Sequence, residues 1–242
     1  MQVLLLFAVL LLPTSAWAYR PFVSTDAAVA DLGEVEVELG YFNLERTGRQ
    51  NVVTTPGLVV NYGVAKRVEL VGEFRLQVSP HVEITDPALS LKAVLKEGVL
   101  QEKPGVSIAV EAGLLLPSTL PHERGVGFEG IGIVSGKVGP VTLHINGGGG
   151  VDRNDSGVFG VWGVIGELPI HERFRLVGEV NGDATQRERP NTSALLGLIW
   201  QPTSRNVFLD AGVRRGISSA SPDWAFTVGV TFGVSAPTIW RQ

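Results

Sequence analysis

The strongest constraint on this chain is a pattern that keeps repeating. Runs of about ten residues alternate apolar with small or polar side chains, and turn-forming residues separate them. The clearest run is the last, residues 224–234. Trp224, Phe226, Val228, Val230 and Phe232 fall on one side of a period-two strand, and Ala225, Thr227, Gly229, Thr231 and Gly233 fall on the other. Neither side carries a charge. One such strand could belong to a soluble sandwich. The same alternation along nearly the whole chain predicts an all-β fold, a transmembrane up-and-down barrel facing lipid outside and a lumen inside.

The N-terminus points to the same compartment. Residues 1–18 read as a cleaved signal peptide: Leu4 to Leu12 is apolar, Pro13, Thr14 and Ser15 break the run, and Ala16-Trp17-Ala18 supplies small residues for cleavage. No Lys or Arg precedes the run. It is shorter than the roughly 20 residues a spanning helix needs, and no later run is longer. Charged residues make up 18% of the chain and glycine is abundant at 30 residues; a soluble domain typically carries about 25% charge. The net charge of −4, with no basic run, argues against nucleic acid. With no cysteine there is no disulfide, thiolate nucleophile or Cys-ligated metal. The expected location is the bacterial outer membrane.

After a lead-in at 19–33, expected in the periplasm or tucked into the barrel mouth, the barrel occupies 34–234 and a tail follows at 235–242. About twelve antiparallel strands are expected, at 34–44, 52–62, 68–78, 88–96, 106–116, 127–138, 141–151, 157–168, 174–181, 192–201, 207–215 and 224–234. Pro56 interrupts the second. The sixth is too glycine-rich for its faces to be assigned, and the tenth is apolar on both faces. Turns at 63–67, 97–105, 139–140, 169–173 and 202–206 alternate with longer, more polar loops, as in bacterial barrels. The last strand is expected to close the barrel against 34–44.

Several motifs resemble the outer-membrane family of meta-pathway phenol-degradation proteins, often labelled transporters. They are Arg20-Pro21-Phe22 with Thr25-Asp26-Ala27, Gly33-Glu34, Tyr62-Gly63-Val64 with Arg67-Val68-Glu69-Leu70, Leu91-Lys92, Gly178-Glu179-Val180, and Asp210-Ala211-Gly212-Val213-Arg214-Arg215-Gly216. The resemblance covers most of the mature chain through short, mainly structural motifs. It implies an outer-membrane transporter, with hydrophobic or aromatic molecules as the substrate class, and carries over no catalytic residue. The final strand also resembles the signal read by the outer-membrane assembly machinery, through Thr227, Gly229, Phe232 and Val234. Val234 stands where an aromatic is usual, and residues follow the strand.

The candidate site is the inward face. Glu36, Glu38, Glu69, Glu73, Glu111, Glu167, Glu179 and Asp210 are set to meet Arg75, Lys92, Arg175 and Arg214, either as paired charges filling the lumen or as the polar lining of a narrow pore. Acids outnumber bases, which favours cations if the lumen is open. His144 and Asn146 share a strand face, but no Ser lies two residues from His144. Lipase chemistry is therefore a weak reading beside ordinary hydrogen bonding. Residues 152–157 lack the acidic spacing of a calcium loop. His81, His122, His144 and His171 form no metal spacing, and Gly147 to Gly150 read as a closely packed strand. The expected function is a channel for small molecules, with a plugged structural or surface-interaction barrel as alternative and an enzyme least favoured. No cofactor or metal is expected. Membrane lipid, the assembly machinery and a small-molecule substrate are the expected partners.

Overall fold

The computed structural model describes residues 21–121, 123–153, 157–186, 189–202 and 207–235. The signal peptide, His122, residues 154–156 of the loop at 152–157, and all but Ser235 of the tail lie outside them. Twelve strands follow one another: β1 (Glu34–Thr47), β2 (Gln50–Ala65), β3 (Val68–Ser79), β4 (Glu83–Lys96), β5 (Ser107–Leu115), β6 (Gly127–Val138), β7 (Val141–Val151), β8 (Val158–His171), β9 (Phe174–Thr185), β10 (Asn191–Trp200), β11 (Val207–Gly216) and β12 (Trp224–Ser235). Each pairs antiparallel with its sequence neighbours, and β12 closes the barrel against β1, from Glu34 opposite Ser235 to Arg46 opposite Trp224.

The alternation sets the two surfaces. Leu91, Leu95, Phe128, Ile145, Trp162, Leu196 and Val213 stand exposed outside, while Glu38, Glu69, Lys92, His144 and Glu179 are buried within. Phe174 and Trp200 stack at 6.0 Å, beside the β8–β9 turn. An apolar exterior on a closed sheet leaves no unpaired backbone edge, so this is a membrane-spanning barrel of the bacterial outer-membrane type. No described helix is long and apolar enough to cross a membrane; the crossing is made by strands.

The strands outrun the apolar alternation that marks them in the sequence. β4 begins at Glu83 rather than 88 and β9 runs to Thr185, so strand takes up five of the eight residues expected as loop at 79–86 and residues 182–185 of the stretch expected to be loop at 182–191. β1 and β2 extend until only Gly48 and Arg49 join them. A ladder needs backbone pairs, not apolar side chains, so polar ends continue it unmarked. Pro56 lies inside β2, where the register with β3 shifts between Thr54 and Gly57. In β6, Ile133 and Ser135 face inward while Phe128 and Val134 face out.

Candidate functional site

The lumen is not empty. Residues 21–33 enter it ahead of β1 and cross the interior through the half nearest the β2–β3, β4–β5 and β6–β7 turns. Leu32 bridges to Gly63 at the end of β2, and the Gly33 N–H donates to the Gly63 carbonyl at 2.8 Å. From there the segment runs from wall to wall. The Ala30 N–H donates to Glu69 Oε2 on β3 at 2.6 Å. The Ala27 N–H donates to Ser135 Oγ on β6 at 3.0 Å, and the Ala27 carbonyl accepts from Gln101. Thr25 exchanges two bonds with the Asn146 amide on β7. The Val23 and Ser24 N–H groups donate to the Glu179 carboxylate on β9. At the far wall Phe22 packs on Val177, Ile199 and Phe208. That patch explains why β10 is apolar on both faces: Leu196 and Leu198 meet lipid, while Ile199 receives the segment.

Two glycines make room for this path. A Cβ on Gly63 would overlap the Asp31 carbonyl, and one on Gly163 would overlap the Ser24 hydroxyl. A side chain at Gly63 would push the segment's backbone off the wall, and one at Gly163 would force the Ser24 side chain to move.

The charged residues fall into three groups around the segment. In the first, Lys92 on β4 is 1% exposed; it pairs with Glu69 at 3.5 Å and Asp26 at 3.7 Å and donates to Thr25 Oγ1 at 3.0 Å. Glu38 accepts from Asn61, and Glu36 lies buried beside this group with its Oε1 unpartnered. In the second, Arg214 pairs with Glu179 at 2.5 Å and reaches Asn181 and Ser193; Asp210 is buried on the same strand. In the third, Glu167 meets Arg175 at 3.1 Å and His144 Nε2 at 3.4 Å, and the Arg175 guanidinium sits 5.6 Å from the Phe208 ring centre. Buried charges of this kind persist only when paired and hydrogen-bonded. Arg75 pairs with Asp86 at 3.3 Å where both are half exposed. Glu111 accepts from Ser90 at 2.5 Å.

A cavity of about 170 Å³ remains inside the barrel, and residues 22–26 form one wall of it. Asp26, Glu38, Glu69, Glu73, Glu111, Glu129 and Glu167 line it against Arg75 and Lys92, with Ile131 and Ile165 as apolar surface. All these acids except Asp26 and Glu129 belong to the sequence-derived set; of its other members, Arg175, Glu179 and Arg214 hold the segment or the wall, and Glu36 and Asp210 lie buried inside the barrel. Sequence reasoning misses Asp26, because it lies in a lead-in with no pattern, and Glu129, because the glycines of β6 hide its face. It also misses Ser135 and Gln101. On β12, Thr227 is buried inside and Val234 is exposed outside.

Ser135 is the partner that the sequence does not place beside His144. It lies directly across the β6–β7 ladder, with its Oγ 2.8 Å from His144 Nδ1. Ser135 is 0% exposed and its oxygen already takes the Ala27 N–H. A nucleophile needs open space for a carbonyl carbon, and this hydroxyl has none. Among the described residues, no group of three or more His, Cys, Asp or Glu side chains is arranged to hold a metal ion.

No protein-family model matches the chain, and no curated protein matches it in sequence. Solved structures do match in shape. A NanC porin superposes with a TM-score of 0.62 at 9% identity, covering 82% of this chain and 98% of the other. The COG4313 outer membrane channel from Pseudomonas putida F1 gives 0.58 at 11% identity, covering 86% and 98%. The KdgM porin gives 0.55 at 10% identity, covering 82% and 98%. At these identities the likeness is one of fold.

Proposed function

We propose that the chain is an outer-membrane channel for small solutes, narrowed by its own N-terminal segment. The observation that carries this reading is the charge-lined cavity inside a barrel whose exterior is apolar. Two of the structures it resembles in fold are named porins and the third a channel, which supports the reading at the level of fold. The excess of carboxylates in the lining favours cations over anions. The sequence resemblance to phenol-degradation barrels makes small aromatic molecules the first neutral solutes to test. On this reading the partners are membrane lipid, the transported solute and the assembly machinery, which would read Thr227, Gly229, Phe232 and Val234.

A plugged structural or surface-interaction barrel is the competing reading, favoured by the hydrogen bonds from residues 23–30 to the wall. Solute flux into liposomes separates the two. The channel reading expects passage of small cations and phenol-sized solutes above empty liposomes, with anions slower. Protein that inserts correctly and leaves permeability unchanged overturns it and supports the plugged barrel.

A further inference from the structure

Residues 21–33 are held by reversible bonds. Most run from their backbone to wall side chains at Glu179, Asn146, Ser135 and Glu69. Water can replace each of these, so no single one of them fixes the segment. Apolar packing adds Phe22 at one wall and Ala27 against Ala109 and Ile133 at another. The costly element is Lys92. Withdrawal would strip it of Asp26 and Thr25, and a buried ammonium left short of partners is strongly unfavourable.

The wall carries a replacement. Glu69 belongs to β3 and stays with Lys92 whether or not the segment is present. Glu36, on β1, is 3% exposed, and its Oε1 has no hydrogen-bond partner. Asn61, directly across the β1–β2 ladder from it, lines the cavity together with Asp26, Glu69 and Lys92. With the segment inside, Lys92 pairs with Glu69 and Asp26, while Glu36 Oε1 is buried without a hydrogen-bond partner. With the segment out, Asp26 is gone and the idle oxygen can take its place.

We propose that residues 21–33 are a displaceable gate, and that Lys92 exchanges Asp26 for Glu36 when the gate leaves. The inference rests on the channel reading. Lys92 keeps two carboxylates in both arrangements, Glu69 with Asp26 or Glu69 with Glu36. A strap with two satisfied end states is a two-state element, and solute flux follows its open fraction.

The absence of native cysteine makes the test specific. The double variant Ala27→Cys with Ser135→Cys replaces two residues already in hydrogen-bond contact, so oxidation ties the segment to β6. One liposome preparation is measured oxidised and then reduced. Reduction is expected to raise flux about tenfold. Without the cross-link, Glu36→Gln is expected to lower flux toward the oxidised level, because the open state loses its replacement carboxylate. Equal flux in the two redox states, with clear flux in both, overturns the gate and leaves the channel standing. Flux in Glu36→Gln equal to that of the parent overturns the exchange at Lys92. No flux in either redox state sinks the channel and the gate together.

Discussion

Ser24 donates its backbone N–H to Glu179 at 2.8 Å across a separation of 155 residues. Both oxygens of that carboxylate are engaged, since Val23 shares them and Arg214 pairs at 2.5 Å. One side chain therefore ties the N-terminal segment to the wall and neutralises a cation on β11. Glu179→Gln is expected to lower unfolding stability in detergent by about 3 kcal/mol, because it leaves Arg214 without its carboxylate. Adding Arg214→Met should recover most of the stability. Urea midpoints for the parent, single and double variants check this.

Gly163 is placed for contact, not for flexibility. Gly163→Val puts a side chain where the Ser24 hydroxyl sits and should displace the segment, raising liposome flux several-fold. Gly72→Val is the control, since a Cβ there meets nothing within 4 Å. Equal flux in the two variants would contradict the role given to Gly163.

Lys92→Met should be among the most damaging single changes. It removes the ammonium from between Asp26 and Glu69 and leaves buried carboxylates facing one another. The expected loss is about 3–5 kcal/mol. Glu69→Gln in the same chain should return part of it. The fraction of protein showing the folded barrel's mobility on unheated gels is the readout.

Glu73, Glu111 and Glu129 line the cavity, and among the described residues none of them has a Lys or Arg within ion-pair distance. Changing all three to Gln should lower the cation-to-anion permeability ratio by about threefold or more. Reversal potentials in planar bilayers under a salt gradient measure it. An unchanged ratio would place the selectivity elsewhere.

The final strand makes a separate prediction about assembly. Phe232→Ala should reduce the amount of folded barrel recovered from the outer membrane, and Val234→Phe should raise it. Both side chains face outward on β12, away from the lumen, so neither change should alter selectivity in the protein that does fold.

Much of this architecture is legible in the sequence, for one physical reason. A wall with lipid on one side and charge on the other writes a period of two into every strand. The inward positions of Glu69, Lys92, Glu179 and Arg214 follow from that, as does the pairing of 224–234 with 34–44. Glycine on the outer side of β6 erases the signal, so Glu129 and Ser135 are not readable there. The path of residues 21–33 is not readable either, because it is fixed largely by backbone N–H groups that every non-proline residue carries. His144 and Asn146 are recognisable as a pair on one face, but their partners Ser135 and Thr25 come from a neighbouring strand and from the lead-in. The apolar inner face of β10 is the one sequence clue to an occupant of the lumen.

The segment inside the barrel precedes all twelve strands in the chain, and β12, which shuts the ring, is the last of them. A segment that leaves the ribosome before any strand is thus enclosed by a ring that only the last strand completes. A closed ring of hydrogen-bonded strands admits nothing sideways. Residues 21–33 must lie within the curl of the sheet when β12 meets β1, or thread in afterwards through an open end. Anything fused just ahead of Pro21 would be carried along the same route, so a bulky N-terminal label would act on the order of assembly as well as on the finished channel.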